Sequence, residues 1–291
     1  MANSGAALSL GSMFRAPQNE AAVLDAVLAQ LPRGYRAQDQ RIIDSGSAHR
    51  IVLIGESAVI RIARDQGAGP AMDRRQQLVD QLPALKFRVP RSLSDVMTID
   101  GTSAVAVEFV PGETAPPGAA SPSELHLLLA EMQRISLDPI LSLLERPLAF
   151  CGADDWLDVQ LERVIPLLLG AARENARRAV EALAALEVHP DTFSHGDLAG
   201  HNVRWRDGLI VGVVDWDLSS ASDRSTDIAS LAAWHGFECL EGIVPSNDLD
   251  RARIRHATFV LQQVAFQLLN DRSEEEIQRA ITRATARFTP D

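Results

Sequence analysis

An α+β fold in two parts is what this sequence predicts, a strand-rich lobe followed by a helix-rich one with a cleft between them. Three observations predict it. Short β-branched runs separated by Gly and Ser turns occupy residues 35–63; a strongly apolar run, Ala104 to Val110, closes at Pro111-Gly112; and beyond residue 122 nearly every apolar pattern has the helical period.

The elements follow in order. Residues 1–17 are small and polar and are expected to fray. Glu20 to Leu31 spaces Ala21, Val23, Leu24, Val27, Leu28 and Leu31 along one helix face and stops at Pro32-Arg33-Gly34. Arg41 to Ile43, Arg50 to Ile54 and Ala58 to Ile62 read as three antiparallel strands, with turns at Ser45-Gly46-Ser47 and Gly55-Glu56-Ser57. Pro70 to Leu82 offers a helix ended by Pro83, and Ala104 to Val110 a further strand, so residues 18–111 form the first lobe. Residues 115–122 are a linker. In the second lobe, residues 112–291, helical periodicity marks Ser123 to Ile135, Trp156 to Leu169, Arg173 to Leu186, Asp227 to Phe237, Asp248 to Leu269 and Glu274 to Phe288; only Asn202 to Trp205 and Leu209 to Val214 look like strands.

Composition narrows the class. With 291 residues, 46% of them hydrophobic, the chain is long enough for a substantial core, which excludes a disordered protein. Met1 to Pro17 has no basic start and carries Arg15 where the apolar core of an export signal should continue. No stretch approaches the roughly 20 apolar residues of a membrane span. Cys151 and Cys239 are too few and too separated for a disulfide framework. These features predict a soluble protein of the reducing cytoplasm. Residues 1–110 carry 12 basic and 11 acidic side chains, leaving 16 against 28 for residues 111–291, so the whole excess behind the net charge of -11 lies in the second part. That asymmetry disfavours nucleic acid as a partner and suits a positively charged ligand, although acid carried for solubility accounts for it equally well.

The segment richest in chemistry is Ser194-His195-Gly196-Asp197-Leu198-Ala199-Gly200-His201-Asn202, followed by Val213-Val214-Asp215-Trp216-Asp217. Two acids and an amide come from two loop ends, each beside a short apolar strand. Phosphoryl transfer needs such a set: a carboxylate to orient and deprotonate the attacking hydroxyl, and oxygen donors to hold magnesium against the phosphates. Asn202 and Asp215 suit the cation chemically.

His-Gly-Asp, then Asn five residues after the Asp, then Val-Val-Asp-Trp-Asp, then Ser222-Asp223-Arg224-Ser225-Thr226-Asp227-Ile228-Ala229 resembles the aminoglycoside phosphotransferase family. The resemblance implies a two-lobed protein-kinase-like fold, with ATP or GTP as donor and Mg2+ as cofactor. It implies Asp197 as catalytic base, Asn202 and Asp215 as metal ligands, and His195 as a scaffold of the loop, with Asp217 assisting metal or substrate. Asp223 and Asp227 are expected to cap the following helix. In the first lobe, Ser45, Gly46 and Ser47 would place backbone N–H groups over the phosphates, and Glu108 and Val110 would be the contacts of the strand that meets the base. The family's strand lysine is missing, since Lys86 is the sole lysine and lies outside that strand. Arg61 occupies the matching position and keeps the charge with a different geometry. No glutamate stands near Arg75 to pair with it, so Asp73 or Asp80 substitutes or the nucleotide is clamped differently.

For a cationic acceptor, the acids Asp155, Asp158, Glu238 and Glu241 join Asp217 as candidates, each equally readable as a solvated helix face. The expected reaction moves the γ-phosphate to a hydroxyl of a cationic small molecule, an aminoglycoside or a basic cyclic peptide antibiotic, by a monomer or homodimer. Three other readings stand beside it: a kinase-shaped binding protein with weak catalysis, a kinase of an ordinary metabolite such as choline, and a metal hydrolase using His195, Asp197, His201 and Asp215.

Overall fold

The computed structural model describes residues 18–36, 39–43, 48–187 and 189–289. The chain is α+β, with an antiparallel sheet in its first part and helices dominating the second, as the sequence predicts. Two compact units divide it: the described residues up to Gln76 together with Arg91–Phe109, and Gln77–Pro90 together with Val110 onward.

The first unit is built on a sheet of β1 (Gln40–Ile43), β2 (His49–Ile54), β3 (Ala58–Ala63), β4 (Met97–Ile99) and β5 (Thr102–Glu108), in the order β1-β2-β3-β5-β4 with every pair antiparallel. Helix α1 (Gln18–Gln30) leads to the single turn α2 (Arg33–Arg36). Val23, Val27 and Leu31 recur one turn apart and lie at 0–3% exposure in one cluster with Ile54, Ile60, Ile62, Ala104 and Ala106. Period-2 alternation along β3 then sets the other face. It carries Val59 and Arg61, the latter opposite Ile51 and Val105, and its apolar members pack with Met72 of α3 (Gly69–Gln81).

The unit boundary falls inside α3. Leu78, Val79, Leu82, Phe87 and Val89 share a core with Leu125, Leu128, Phe193 and Trp216 of the second unit, so residues 77–90 belong there by packing rather than with the sheet, where the sequence alone had placed them.

In the second unit α4 (Pro122–Gln133) precedes a run of short turns, α5 (Trp156–Asp158), a π-helical stretch Val159–Val164 and a 3-10 turn Ile165–Leu167. The pattern from Trp156 to Leu169 that reads as one helix is therefore three winding types in succession. Next come α6 (Gly170–Ala184), β6 (Thr192–Ser194), β7 (Val203–Arg206), β8 (Leu209–Val213), β9 (Ser220–Ser222), α7 (Ser225–His235), α8 (Ser246–Ala257), α9 (Phe259–Leu269) and α10 (Glu274–Phe288). The expected helix from 248 to 269 is broken at Thr258, whose hydroxyl donates to Arg255 O at 2.8 Å and accepts Gln262 Nε2 at 2.8 Å. Ala172, Ala176 and Val180 of α6 meet Leu261, Val264 and Ala265 of α9 and Ala280 and Ala284 of α10 in a second core. α10 begins with a reciprocal capping box between Ser273 and Glu276, which accounts for the acidic run at its start.

One hairpin positions the chemistry. Asp207 and Gly208, both at positive φ (52° and 78°), form the two-residue turn between β7 and β8. The register this turn sets pairs Val203 with Val213 and lets Val214 N donate to Asn202 O at 2.9 Å. Asn202 and Asp215 thereby leave the same open end of the hairpin. Among the described residues no helix is long and apolar enough to cross a membrane.

Candidate active site

The loop after β6 is held from behind. Asp227, in the first turn of α7, is 2% exposed and points back at the loop rather than capping its own helix: Oδ1 accepts Ser194 Oγ and Gly196 N, both at 3.0 Å, and Oδ2 accepts His195 N at 2.9 Å. Burial pushes the Asp227 carboxyl up, against the lowering effect of His195 and of these three donors. Asp223 stands one residue before the N-cap, Arg224, and accepts the N–H of Ser225, the first residue of α7, at 2.7 Å. The expectation that both acids cap α7 is corrected: Asp223 meets one N–H of the helix start from outside the N-cap and Asp227 faces the loop, because a carboxylate near a helix start satisfies either partner and the sequence does not show which way it faces.

Two glycines let the loop pack so closely. Gly196 has φ +83°, and a Cβ there would stand 2.3 Å from Leu218 O. At Gly200 a Cβ would stand 2.1 Å from Trp234 Cδ1. Trp234 is fixed in turn by Nε1 donating to Ala115 O at 3.0 Å, and its ring meets His201 edge-on at 6.0 Å.

His195 ties the two chemical loops together. It is fully buried, 4.8 Å from the Trp216 ring, with Nε2 3.1 Å from Val214 O and Nδ1 3.3 Å from Asp197 N. The tautomer with its proton on Nε2 satisfies both contacts. Both ring nitrogens are therefore engaged, so His195 is not a metal ligand, and among the described residues no group of three or more His, Cys, Asp or Glu is placed to hold a metal ion. That removes the basis of the metal-hydrolase reading.

Asp197 is half-buried, and Asn202 clamps it. Asn202 Nδ2 donates to Asp197 O at 2.8 Å and to Asp197 Oδ2 at 3.0 Å, and His201 Nε2 lies 3.6 Å from that same Oδ2. Burial favours the protonated carboxyl, but His201, His195 and Asn202 together outweigh it and hold Asp197 below the usual carboxylate range. Asp197 in turn raises the His201 imidazole. A carboxylate kept ionised and oriented is what a base for a hydroxyl proton requires.

Beyond the hairpin, Trp216 is 1% exposed and donates Nε1 to Val213 O at 3.1 Å, so the neighbouring Asp215 is turned outward and Asp217 is half-buried. Asp215 sits at φ +63°, a left-handed conformation that costs a non-glycine residue about 1–3 kcal/mol and persists where the surroundings fix it. The Asn202 amide commits its nitrogen to Asp197, and its Oδ1 and the Asp215 carboxylate are the oxygen donors that this end of the hairpin offers. An amide oxygen and a carboxylate are hard donors, and this pair fits a divalent cation that also binds phosphate oxygens.

The remaining candidates divide. Ser45, Gly46 and Ser47 lie outside the described residues. In the first unit, Arg61 Nη2 is 3.2 Å from His49 Nδ1, and Glu108 ends β5 with its N–H donating to Arg91 O at 2.8 Å and its side chain exposed. In the second, Val110 is buried against Gly212, where a Cβ would stand 2.0 Å from Val110 Cγ1. Lys86 lies in the second unit, its backbone N–H on Glu131 Oε2 at 3.0 Å. Asp155 and Asp158 are exposed on turns that pack with α9, in the core around α6 rather than the core beneath the 194–202 loop. Glu238 is exposed just after α7, and Glu241 faces Arg253 Nη2 at 3.4 Å, so its charge is already answered. Among these candidates, Asp197 and Asn202 are in direct contact, and the hairpin brings Asp215 to the same end. Asp227 as the loop anchor and Trp234 behind Gly200 were missed by sequence reasoning. The glycine two residues before Asn202 was the available signal for the second.

A family model described as "Phosphotransferase enzyme family" matches residues 39–279. The chain belongs to the phosphotransferase enzyme family. This phosphotransferase is 28% identical over 258 residues to viomycin phosphotransferase of Streptomyces vinaceus, an alignment covering 81% of this chain and 89% of that relative. Its fold matches that of an APH(2") enzyme solved with GDP and kanamycin, at a TM-score of 0.73 and 15% identity over 92% of this chain and 97% of the other. It also matches a macrolide 2'-phosphotransferase from Brachybacterium faecium, at a TM-score of 0.63 and 18% identity over 93% and 98%. At those identities the two structures speak to the fold of this phosphotransferase alone.

Proposed function

We propose that this phosphotransferase moves the γ-phosphate of ATP or GTP to a hydroxyl of a cationic small molecule in the cytoplasm, and that the acceptor is an antibiotic of the viomycin or aminoglycoside class, so that the reaction confers resistance. The observation that carries the chemistry is the Asn202 clamp on Asp197, which presents an ionised carboxylate next to the hairpin end bearing Asp215. The acceptor class rests on the viomycin phosphotransferase similarity and on the acidic excess of residues 111–291.

Asp197 receives the hydroxyl proton as the acceptor oxygen forms its bond to the γ-phosphorus; the bond from that phosphorus to the β–γ bridging oxygen breaks, and the nucleoside diphosphate leaves with its electrons. Asn202 holds the Asp197 carboxylate in place. His195 fixes the spacing between the Asp197 loop and Val214. Asn202 Oδ1 and the Asp215 carboxylate would hold a magnesium ion, which when bound supplies positive charge against the phosphates. Arg61 is assigned to the nucleotide phosphates, together with Ser45, Gly46 and Ser47, and Glu108 and Val110 to the base. Asp217 is the acid nearest the chemistry for an acceptor amine; Asp155, Asp158 and Glu238 are more distant candidates in sequence, and Glu241 is the weakest because Arg253 already faces it.

The test is a panel of viomycin, kanamycin, a macrolide and choline with ATP or GTP and magnesium, read by nucleotide consumption and by the acceptor's mass. Gain of one phosphate on viomycin or kanamycin supports the reading. Phosphorylation of choline alone overturns the antibiotic assignment, and tight nucleotide binding with no transfer to any acceptor favours the kinase-shaped binding protein.

A further inference from the structure

Behind the start of α7 lies a cluster of charge that the chemistry above does not use. Asp223 is 6% exposed; its Oδ2 accepts Arg251 Nε at 2.7 Å and also Arg251 Nη2, which donates as well to Glu187 O at 2.7 Å. Arg255, one turn further along α8, donates Nε to Ser225 Oγ at 2.7 Å and brings Nη2 to 4.0 Å from Asp223 Oδ2. Ser225 is fully buried, and the two arginine side chains are 14% and 15% exposed.

Two guanidinium groups thus share one carboxylate in a nearly closed space. Burial lowers the Arg255 pKa and Arg251 adds to that effect, with only Asp223 opposing them. Such an arrangement is a poor source of stability, because desolvating the second cation is not repaid by a second anion. Its geometry has another consequence. Ser225 opens α7, and Asp227 in the same turn carries the three bonds to Ser194, His195 and Gly196.

We propose that Arg255 is a positioning residue for the catalytic loop, setting through Ser225 the first turn of α7 from which Asp227 fixes His195 and Gly196 beside Asp197. Arg255 touches no reacting atom. Only the kinetic arm of the test rests on the phosphotransferase reading.

The test compares the parent with Arg255→Met, Ser225→Ala, the double variant, and Arg279→Met, which removes an exposed guanidinium paired with Glu275 on α10. Amide hydrogen exchange is read at His195 and Gly196 and, as an internal reference, along α6. In Arg255→Met, exchange at His195 and Gly196 rises by about tenfold more than along α6. In the same variant kcat falls by roughly tenfold while KM for nucleotide and acceptor stays within about twofold. Ser225→Ala gives a smaller change of the same sign, and the double variant is no worse than Arg255→Met, as two links of one chain require. Arg279→Met leaves both readouts at parental values. Uniform exchange across the second unit, with kcat at the parental level, overturns the proposal and leaves Arg255 a purely structural residue. If Arg255→Met does not fold, Ser225→Ala decides by itself, and unchanged exchange at His195 and Gly196 sinks the idea. Should the parent turn over no acceptor, the functional reading fails while the exchange result still tests the positioning role.

Discussion

The side-chain amide of Asn202 donates to Asp197 twice, once to the backbone carbonyl at 2.8 Å and once to the carboxylate at 3.0 Å. One NH2 group therefore fixes both where the residue sits and how its carboxylate is turned. The amide oxygen stays outside that contact, so a single rotamer both orients the carboxylate and leaves an oxygen donor uncommitted to it.

Replacing Asp197 with Ala removes the base and leaves Asn202 and Asp215 in place. Turnover should fall by about 10²–10⁴-fold or more, the usual worth of a positioned base. Nucleotide affinity with magnesium, measured by calorimetry, should stay within about twofold, because no nucleotide contact is assigned to Asp197. A variant as active as the parent removes Asp197 from the mechanism.

Asp215 offers a cleaner separation of fold from ligand. Asn tolerates the left-handed conformation nearly as well as Asp, so Asp215→Asn should keep its melting temperature within about 2 °C of the parent. It loses the full negative charge of one proposed cation donor, and nucleotide binding should lose most of its dependence on magnesium. Titrating nucleotide with and without the metal reads this directly; an unchanged magnesium effect assigns the cation elsewhere.

Gly200→Ala would drive a methyl group into the Trp234 ring, with 2.1 Å where about 3.5 Å is needed. Trp234 is tethered to Ala115, so the loop rather than the ring should move. Overpacking of this kind costs about 1–3 kcal/mol, and displacement of the Asp197 loop should lower kcat as well. Adding Trp234→Ala should relieve part of the stability loss in denaturant unfolding. If the double variant is less stable than the two single losses added together, the clash is not the cause.

The residues that carried most of the fold into view were those whose pattern repeats. Val23, Val27 and Leu31 mark α1, β-branched runs mark β2 and β3, and two short apolar runs mark β7 and β8, whose pairing sets Asn202 against Val214. Elements too short to repeat left no such trace. Strands β6 and β9 have three residues each, and their place depends on Phe193 and Ser220 finding partners far along the chain. The break at Thr258 is similarly hidden, since no Gly or Pro marks it and the hydroxyl bonds that shape it depend on Arg255 and Gln262. At the site, Asp197, Asn202 and Asp215 stood out because oxygen donors at fixed spacing beside strands have few other uses. Asp227 did not, because its function lies in the direction of its side chain.

Asp227→Ala tests that direction. Two buried donors, Ser194 Oγ and His195 N–H, would lose their acceptor, and the half-buried Gly196 N–H would keep only Ser194 Oγ at 3.2 Å. Each unmet buried donor costs about 1–3 kcal/mol, so a loss of about 2 kcal/mol or more is expected in denaturant unfolding. Asp227→Asn, which keeps one acceptor oxygen but turns N–H toward N–H at the other, should fall between parent and Ala. A loss below about 1 kcal/mol for the Ala variant, the size of an ordinary cap, would return Asp227 to capping α7.

His235 gives the pH dependence a sign. Its ring is 4% exposed, meets the Trp205 ring edge-on at 6.2 Å, and has no hydrogen-bond partner at either nitrogen among the described residues. Burial pushes its pKa down from the ordinary imidazole value. An unfolded chain therefore takes up a proton near pH 6.5 that the folded ring resists, with the reference value of about 6.5. The contribution of this residue to stability is fully present above that pH and is lost as pH falls below it toward the lowered folded value. His235→Phe keeps an aromatic ring of similar size and removes the titration. Unfolding midpoints of parent and variant should run parallel above about pH 7, and their difference should shift in the variant's favour as the pH falls toward about 5, the parent losing more. The comparison subtracts every other titrating group, including the raised His201 and the lowered His256, since both remain in each protein. A constant difference across that range would mean that the His235 ring accepts its proton as readily folded as unfolded, and that water reaches it.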